Sequence, residues 1–356
     1  RVPVTRYQTN SQFFILNSSF SILHSIMTSR LLSIIERFSQ QTIVVVGDLI
    51  ADEFVFGEIA RVSREAPVLI LRHERTETMP GGAGNTASNI ASLGGNAASI
   101  GVVGRDRAGR MLTLSLRSRG INTSGVLSVA GYVTPTKTRI LAGSAHAPRQ
   151  QVIRVDREEN GPLPEPARGW VLARLEAQLR QATGVILSDY NYGLIDSDCI
   201  ALLQNWQTHH PGIPIVVDSR FRLHQFTGFT SATPNEAEAE DLCGQRFTTS
   251  ELARVQVEQL RAQLNLKALL LTRGPEGMIL VEEGRPAVFE EAIGSKEPVD
   301  VTGAGDTVIA TYTTALAAGA TFPEAMHLAN CAAGCVVMKR GTATMSQAEL
   351  VEKLRE

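Results

Sequence analysis

Apolar residues are laid along this chain in two textures. In the first, short β-branched runs end in glycine or aspartate: "TIVVVGD" (42 to 48), "AASIGVVG" (97 to 104), "GVILSD" (184 to 189), "IPIVVD" (213 to 218) and "KALLLTRG" (267 to 274). Unbroken apolar runs of that length are the pattern of strands buried on both faces. Between them lie amphipathic stretches of helical length, such as Pro166 to Gln181 and Ser250 to Leu264. Strand and helix in alternation predict βαβ units with right-handed crossovers, hence an α/β fold with a doubly wound, mainly parallel sheet flanked by helices.

The second texture occupies residues 53 to 80 and 125 to 158, where "EFVFGEI", "APVLILRHE", "YVTPTKTRIL" and "RQQVIRVDRE" follow one another as strands without helices. They predict a small antiparallel sheet, and two such insertions into one α/β domain suit a lid that keeps water from a site beneath. No repeat or Pro/Gly-rich linker divides the chain, so residues 42 to 356 are expected to form one domain. Residues 1 to 41 are expected to be an extension, disordered or partly helical. Their first 26 are Ser-rich and free of acids, Asn17, Ser18, Ser19 and His24 interrupt any hydrophobic region, and Met27 is a plausible start.

Charge narrows the partners. With 34 Lys and Arg against 36 Asp and Glu there is no electrostatic footprint for nucleic acid, and no basic block suits an anionic membrane. No run approaches the roughly 18 to 20 apolar residues that span a bilayer. Four cysteines without Cys-x-x-Cys spacing suit neither a disulfide scaffold nor a zinc site, and a reducing cytoplasm is the expected location.

Ligands of open α/β sheets gather at the carboxyl ends of the strands. None of the five lysines (Lys137, Lys267, Lys296, Lys339, Lys353) follows a glycine, which excludes a Gly-Lys phosphate loop. The first strand runs into Gly47-Asp48-Leu49, so a dinucleotide fingerprint is missing where it belongs. In "DVTGAGDT", Gly303, Ala304 and Gly305 open a long helix running to about Gly319. Free backbone N–H groups and the helix dipole make an anion site there, and glycine lets a phosphate come close. Asp306 stands beside it. It either caps the first turn or accepts the proton of a hydroxyl that attacks a bound phosphoryl group. A helix start is expected to keep it ionised and weakly basic.

"PGGAGNTASNIASLGG" also has two readings. It is a plain strand-to-helix turn, or a sugar site where Gly81 and Gly82 bring a polyol against the backbone while Asn85, Asp48 and Asp52 hydrogen-bond its hydroxyls. In "TPNEAEAE", Asn235 and Glu238 project from one face of a helix start, an oxygen pair suited to Mg²⁺ directly or through water. "LTRGPEGM", with Thr272, Arg273, Gly274 and Gly277, is a turn able to cover a nucleotide, or a simple connection.

In this order and at these separations, Asp48 and Asp52, Gly81 to Asn85, Asn235 to Glu238 and "DVTGAGD" (300 to 306) resemble the ribokinase-like carbohydrate kinase family from about residue 42 to the C-terminus. The resemblance implies ATP-dependent phosphorylation of a sugar hydroxyl. It makes Asp306 the base and Gly303 to Gly305 an anion hole, has Asn235 and Glu238 organise Mg²⁺ and phosphates, and gives Asp300 and Thr302 to a monovalent cation such as K⁺.

A closer likeness is to the kinase half of the bacterial enzymes that make ADP-heptose, which phosphorylate the anomeric hydroxyl of D-glycero-D-manno-heptose 7-phosphate. It is carried by "VGDLIADEFVFG", "SREAPV", "GGAGNTASNIASLGG", "RQQVIRVDRE", "SDYNYG", "TPNEAEAE" and "DVTGAGDTVIATYTTALAAGA". It implies a sugar phosphate acceptor with Arg139, Arg154 and Asp189 among its contacts. Arg64, Arg149 and Arg220 are further cations able to offset the desolvation of a phosphate. The chain departs from those kinases at Asn191-Tyr192, where they tend to read Ala-Lys, and at Ser219-Arg220, where they tend to read Pro-Lys. The His-x-Gly-His motif of the nucleotidylyltransferase half is not among the 356 residues. The expectation is therefore a stand-alone kinase, dimeric through the lid edge, that works with a separate nucleotidylyltransferase. A kinase of another sugar or nucleoside, and a non-catalytic sugar or nucleotide sensor on the same fold, are the competing readings.

Overall fold

A computed structural model describes residues 27–143, 149–158, 161–294 and 297–355. The reading of residues 1 to 26 falls outside them. Strand β1 (Thr42–Gly47) lies at the centre of the sheet, with Ile43 and Val45 in one apolar layer and Val44 and Val46 in another, as the alternation of strand side chains requires. The other expected strands form as β4 (Asn96–Gly104), β8 (Gly184–Asp189), β9 (Ile215–Ser219) and β11 (Ala268–Thr272). Two more parallel strands join them, β5 (Asn122–Val129) at one edge and the two-residue β10 (Ser231–Ala232) between β9 and β11. At the other edge β12 (Met278–Glu282) and β13 (Val288–Glu290) pair antiparallel, giving the order β13-β12-β11-β10-β9-β8-β1-β4-β5.

Helices cover both faces. Residues 27–36 (α1), α2 (Ala83–Ser92), α3 (Arg107–Ser118), α8 (Ala304–Ala317), α9 (Phe322–Val336) and α10 (Gln347–Lys353) share one layer. The other holds α4 (Glu165–Leu179), α5 (Ser197–His209), α6 (Glu236–Cys243) and α7 (Ser250–Gln263). In α1 and the turn after it, Leu31, Ile34, Ile35 and Phe38 repeat at i, i+3, i+4 and i+7 and are buried in the first layer. Arg37 Nε donates to Ala318 O at 2.9 Å. Residues 27–41 are thus part of the domain, which corrects the boundary expected at residue 42.

The lid is a separate four-stranded sheet, ordered β3-β2-β6-β7. Two hairpins build it, β2 (Leu49–Val62) with β3 (Leu69–Gly82) and β6 (Thr136–Gly143) with β7 (Gln150–Arg157). Two expectations change. The hairpins meet through a parallel β2–β6 pair, because both strands leave the body in the same direction. Residues 125–129 belong to β5 in the main sheet, so the second lid segment starts near residue 136. Chain order reverses beside β1, which neighbours β8 on one side and β4 on the other. A crevice opens there at the carboxyl ends of the strands, with the lid above it.

Candidate active site

Helix α8 is apolar enough to be buried along most of its length, and its first turn opens into the crevice. Gly303 starts it at φ 79°, and a Cβ there would meet Asn85 Nδ2 at 2.4 Å, so both conformation and space require glycine. Asp306 is 5% exposed. Its Oδ2 accepts from Asn85 Nδ2 at 2.8 Å, and its Oδ1 accepts from Thr86 Oγ1 and Tyr190 Oη, each at 3.3 Å. These donors come from α2 and from the loop after β8, not from the helix's own first turn. Burial pushes the Asp306 carboxyl up to about 6, the Asn85 hydrogen bond pulls it back, and Asp52 pushes it up again. The expectation of a weakly basic carboxylate is corrected, since desolvation outweighs the helix N-terminus.

A polar cavity of about 500 Å³ lies against this turn. Its floor is the row of strand ends: Asp189 of β8, Asp218 of β9, Thr233 after β10 and Thr272 of β11. Gly303, Gly305 and Asp306 form one wall and Asn235 and Glu238 another, while the lid contributes Asp52, Lys137, Arg139 and Arg154. Gly82, Tyr190, Arg220 and Thr302 complete the lining used below. Arg139 Nη1 meets Asp52 Oδ1 at 2.6 Å, both groups being nearly buried. Burial lowers the proton affinity of Lys137, and the charges of Arg220 and Arg154 lower it further. Burial drives the Asp218 carboxyl well up, with Glu238 and Asp306 adding to it, and burial also raises Glu238.

A second cavity, of about 170 Å³, adjoins the first through Thr272, Val301 and Gly305. Its lining is mostly apolar and includes Gly274, Gly277, Ile293, Ala304, Val308 and Val337. The N-terminal turn of α8 thus separates a polar chamber from an apolar slot.

The structure does not bring every expected residue to these walls. Asp48 lies behind the polar cavity, where its Oδ2 accepts the amides of Tyr190 at 2.8 Å and Tyr192 at 3.2 Å. Burial pushes its carboxyl up to about 6 as well. Asn85 is also enclosed, and Gly81 supports the wall by leaving room for Asp52, whose Oδ2 a Cβ would meet at 2.5 Å. Asp189 borders the cavity, but its oxygens are taken by Arg222, by Ser219 Oγ at 2.6 Å and by the Asn191 amide at 3.2 Å. Arg273 turns away to Glu236 and Ser250 and borders neither cavity. Asn235 and Glu238 face the cavity while forming a reciprocal capping box at the start of α6. Asp300 accepts from the amides of Thr302 and Gly341, each at 2.9 Å. Burial would raise Asp300, yet the Thr302 hydroxyl together with those amides wins and holds it below the ordinary range.

Lys137, Tyr190 and Asp218, which line the polar cavity, and Arg222, which pairs with Asp189, were not among the expected residues. One signal was available for Lys137. It lies two residues before Arg139 on a strand, so the two share a face.

Phosphoryl transfer to an alcohol needs an anion cradle and a proton acceptor side by side, sheltered from water. On this fold that juxtaposition defines a ribokinase-like phosphotransferase with an alcohol group as acceptor. Residues 40–349 match the pfkB family carbohydrate kinase model, and the chain belongs to that family. The bifunctional protein HldE of Paramagnetospirillum magneticum is 38% identical over 328 residues, covering 92% of this chain and 66% of the relative. That of Pseudomonas paraeruginosa is 41% identical over 315 residues, covering 88% of this chain and 64% of the relative. The chain therefore spans a little under two thirds of their length. Among solved structures, Escherichia coli phosphofructokinase-2 in complex with substrates and products superposes with a TM-score of 0.71 at 18% identity, over 88% of this chain and 98% of that one. Arabidopsis thaliana ribokinase complexed with ribose and ATP gives 0.68 at 20% identity, over 89% and 99%. Among the described residues no helix is long and apolar enough to cross a membrane.

Proposed function

We propose that this kinase transfers the γ-phosphoryl group of ATP to the anomeric hydroxyl of a heptose 7-phosphate, D-glycero-D-manno-heptose 7-phosphate, in ADP-heptose biosynthesis. One observation carries the choice of a phosphorylated acceptor: Lys137, Arg139, Arg154 and Arg220 line the same cavity as Asp306. Asp52 offsets Arg139 and Asp156 offsets Arg154, whereas Lys137 and Arg220 enter no ion pair among the described residues. Two cations without an ion-pair partner, set among carboxylates in a partly dehydrated chamber, suit an anionic substrate. Similarity to proteins named bifunctional protein HldE supports the same reading.

In this reading the nucleotide base occupies the apolar slot and the triphosphate lies at the amides of Gly303 and Gly305, while the Ala304 amide of the expected anion hole donates to Val301 O at 3.2 Å. The acceptor hydroxyl faces Asp306. As its oxygen bonds to the γ-phosphorus and the bond to the β–γ bridging oxygen breaks, its proton passes to the Asp306 carboxylate and ADP leaves.

Asn235, Glu238 and Asp218 are oxygen donors, and the Asp218 carboxyl is pushed up in part by Glu238 and Asp306. A divalent cation relieves such crowding, so these residues fit Mg²⁺, which supplies charge neutralisation to the phosphates when bound. Among the described residues no three His, Cys, Asp or Glu side chains are grouped to hold a metal, so Asn235, Glu238 and Asp218 would hold the ion together with oxygens that the substrates or water bring. The K⁺ role of Asp300 and Thr302 rests on the resemblance alone; each Asp300 oxygen accepts one amide and keeps a lone pair.

A homodimer through the lid belongs to the same reading. Val152, Ile153 and Val155 on edge strand β7 are exposed. A cavity of about 1030 Å³ is open under the lid beyond the site, bordered by Phe54, Phe56, Leu141 and Arg149. A second copy would cover that edge and that face; a monomer mass by light scattering at micromolar protein overturns this part.

A panel assay of ADP release tests the substrate, comparing heptose 7-phosphate with unphosphorylated heptose, ribose, fructose 6-phosphate and adenosine. The expected result is a kcat/KM at least tenfold higher for heptose 7-phosphate. Lys137→Met and Arg220→Ala should each raise its KM by about tenfold or more while sparing that of ATP. Equal use of phosphorylated and unphosphorylated sugars overturns the proposal.

A further inference from the structure

We infer that Asn89 and Thr307, which border neither reaction cavity, are positioning residues that hold the base through Asn85. The inference rests on Asp306 being that base. Asn85 and Asn89 lie four apart on α2 and share one face, which packs on the first turn of α8. Both side chains are buried, at 1% and 0% exposure. Asn85 Nδ2 donates to Asp306 Oδ2 at 2.8 Å, while Asn85 Oδ1 accepts from Asn89 Nδ2 at 3.3 Å. Asn89 Oδ1 in turn accepts from Thr307 Oγ1 at 3.0 Å. Thr307 is the next residue after Asp306, so the relay closes a ring between the two helices.

The ring has a fixed direction. Asn89 Nδ2 also donates to the main-chain oxygen of Asn85 at 3.0 Å, an acceptor that cannot turn round. A flipped Asn89 would set oxygen against oxygen there, and the Thr307 hydroxyl, which also reaches Gly303 O at 3.2 Å, donates to Asn89 only in the observed orientation. With Asn89 held, Asn85 must offer its oxygen to Asn89 and its N–H to the carboxylate. The reverse arrangement would aim a carbonyl at Asp306. Gly303 makes the room this amide needs.

The donor matters because burial favours the protonated acid. Asp52 from the lid and Asp218 at the end of β9 both face Asp306 and oppose its charge, while the Thr86 and Tyr190 hydroxyls, and the cations Lys137, Arg139, Arg154 and Arg220 across the cavity, side with Asn85. Losing the Asn85 donor should therefore raise the proton affinity of the base and loosen its aim.

Thr307→Val removes the hydroxyl at nearly constant volume, Thr307→Ser keeps it, and Asn89→Ala removes the middle of the relay. Carboxyl ¹³C NMR of aspartate-labelled protein, with the Asp306 signal assigned by its loss in Asp306→Asn, follows the base without any substrate. Its titration midpoint should rise by about half a pH unit or more in Thr307→Val and Asn89→Ala and stay in place in Thr307→Ser. In turnover assays kcat should fall about tenfold and its acid limb should move up by the same interval, with both KM values within about twofold. An unmoved midpoint in a variant that still unfolds cooperatively overturns the inference. So does a raised sugar KM at constant kcat, which would assign the amides to the substrate. A wild-type protein that phosphorylates no sugar defeats the kinase reading instead, and the NMR arm still decides whether the relay holds the carboxylate.

Discussion

Replacing Asp306 by asparagine is expected to stop catalysis and, at neutral pH, to make the protein more stable. An ordinary aspartate titrates at 3.8, and burial pushes this one up to about 6. A gap of about 2.2 units is worth roughly 3 kcal/mol at about 1.36 kcal/mol per unit. Because the folded pKa is the higher one, the folded state keeps a proton that the unfolded chain has released. The penalty is absent below about pH 4, grows between about pH 4 and 6, and is constant above. Linkage places about 1.6 kcal/mol of it at pH 5 and about 3 kcal/mol at pH 8. Asparagine carries no charge and escapes it. It also fits, since its oxygen can accept from Asn85 Nδ2 while its amide faces the Thr86 and Tyr190 hydroxyls, which can accept.

Urea unfolding of both proteins at pH 5 and pH 8 measures the effect. The variant should gain about twice as much at pH 8 as at pH 5, the larger gain matching a Tm rise of roughly 3–4 °C for a chain of this length. Turnover should fall by about 10² or more while nucleotide binding remains measurable. A variant less stable than wild type at pH 8, or one whose gain is the same at both pH values, would refute the assignment of a buried, strained charge to this position.

Further consequences follow from the same geometry. The acid limb of kcat should fall near pH 6, because activity is lost as Asp306 takes up its proton; a pH–rate profile still flat at pH 5 contradicts this. Gly303→Ala places a Cβ 2.4 Å from Asn85 Nδ2 at φ 79°, costing about 1–2 kcal/mol of backbone strain and lowering kcat at least tenfold; unchanged kinetics would show that the turn adapts. Phe38, fully buried, should cost about 3–5 kcal/mol on truncation to alanine, and a loss below about 1 kcal/mol in urea unfolding would detach residues 27–40 from the core. Asp48→Ala should destabilise by about 1–3 kcal/mol by leaving the Tyr190 and Tyr192 amides without their acceptor. Asp48→Asn, which keeps an oxygen there and sheds the charge that burial opposes, should recover all of that at pH 8 and less of it at pH 5 in the same assay.

The sequence shows whatever depends on near neighbours. A strand buried on both faces must be apolar throughout, so β1, β4, β8, β9 and β11 stand out as runs, whereas β10 has two residues and no pattern to offer. The stripe of Leu31, Ile34, Ile35 and Phe38 was visible in principle, but a Ser-rich flank without acids drew the segment into the extension before it. Among site residues, the glycines of the α8 turn were legible because their requirement is local. What a side chain does with its charge was not. Asp48 follows β1 as expected, yet its partner amides lie 142 and 144 residues away and reach it only because β8 pairs with β1. Lys137 looks like any polar residue of an edge strand until the parallel β2–β6 pairing sets it across from Asp52. Asp306 shows the limit most plainly. The helix start that lowers its proton affinity is written in seven consecutive residues, while the burial that raises it is assembled from α2, the loop after β8 and the lid. Local chemistry therefore gives the position of the base, and long-range packing sets its strength.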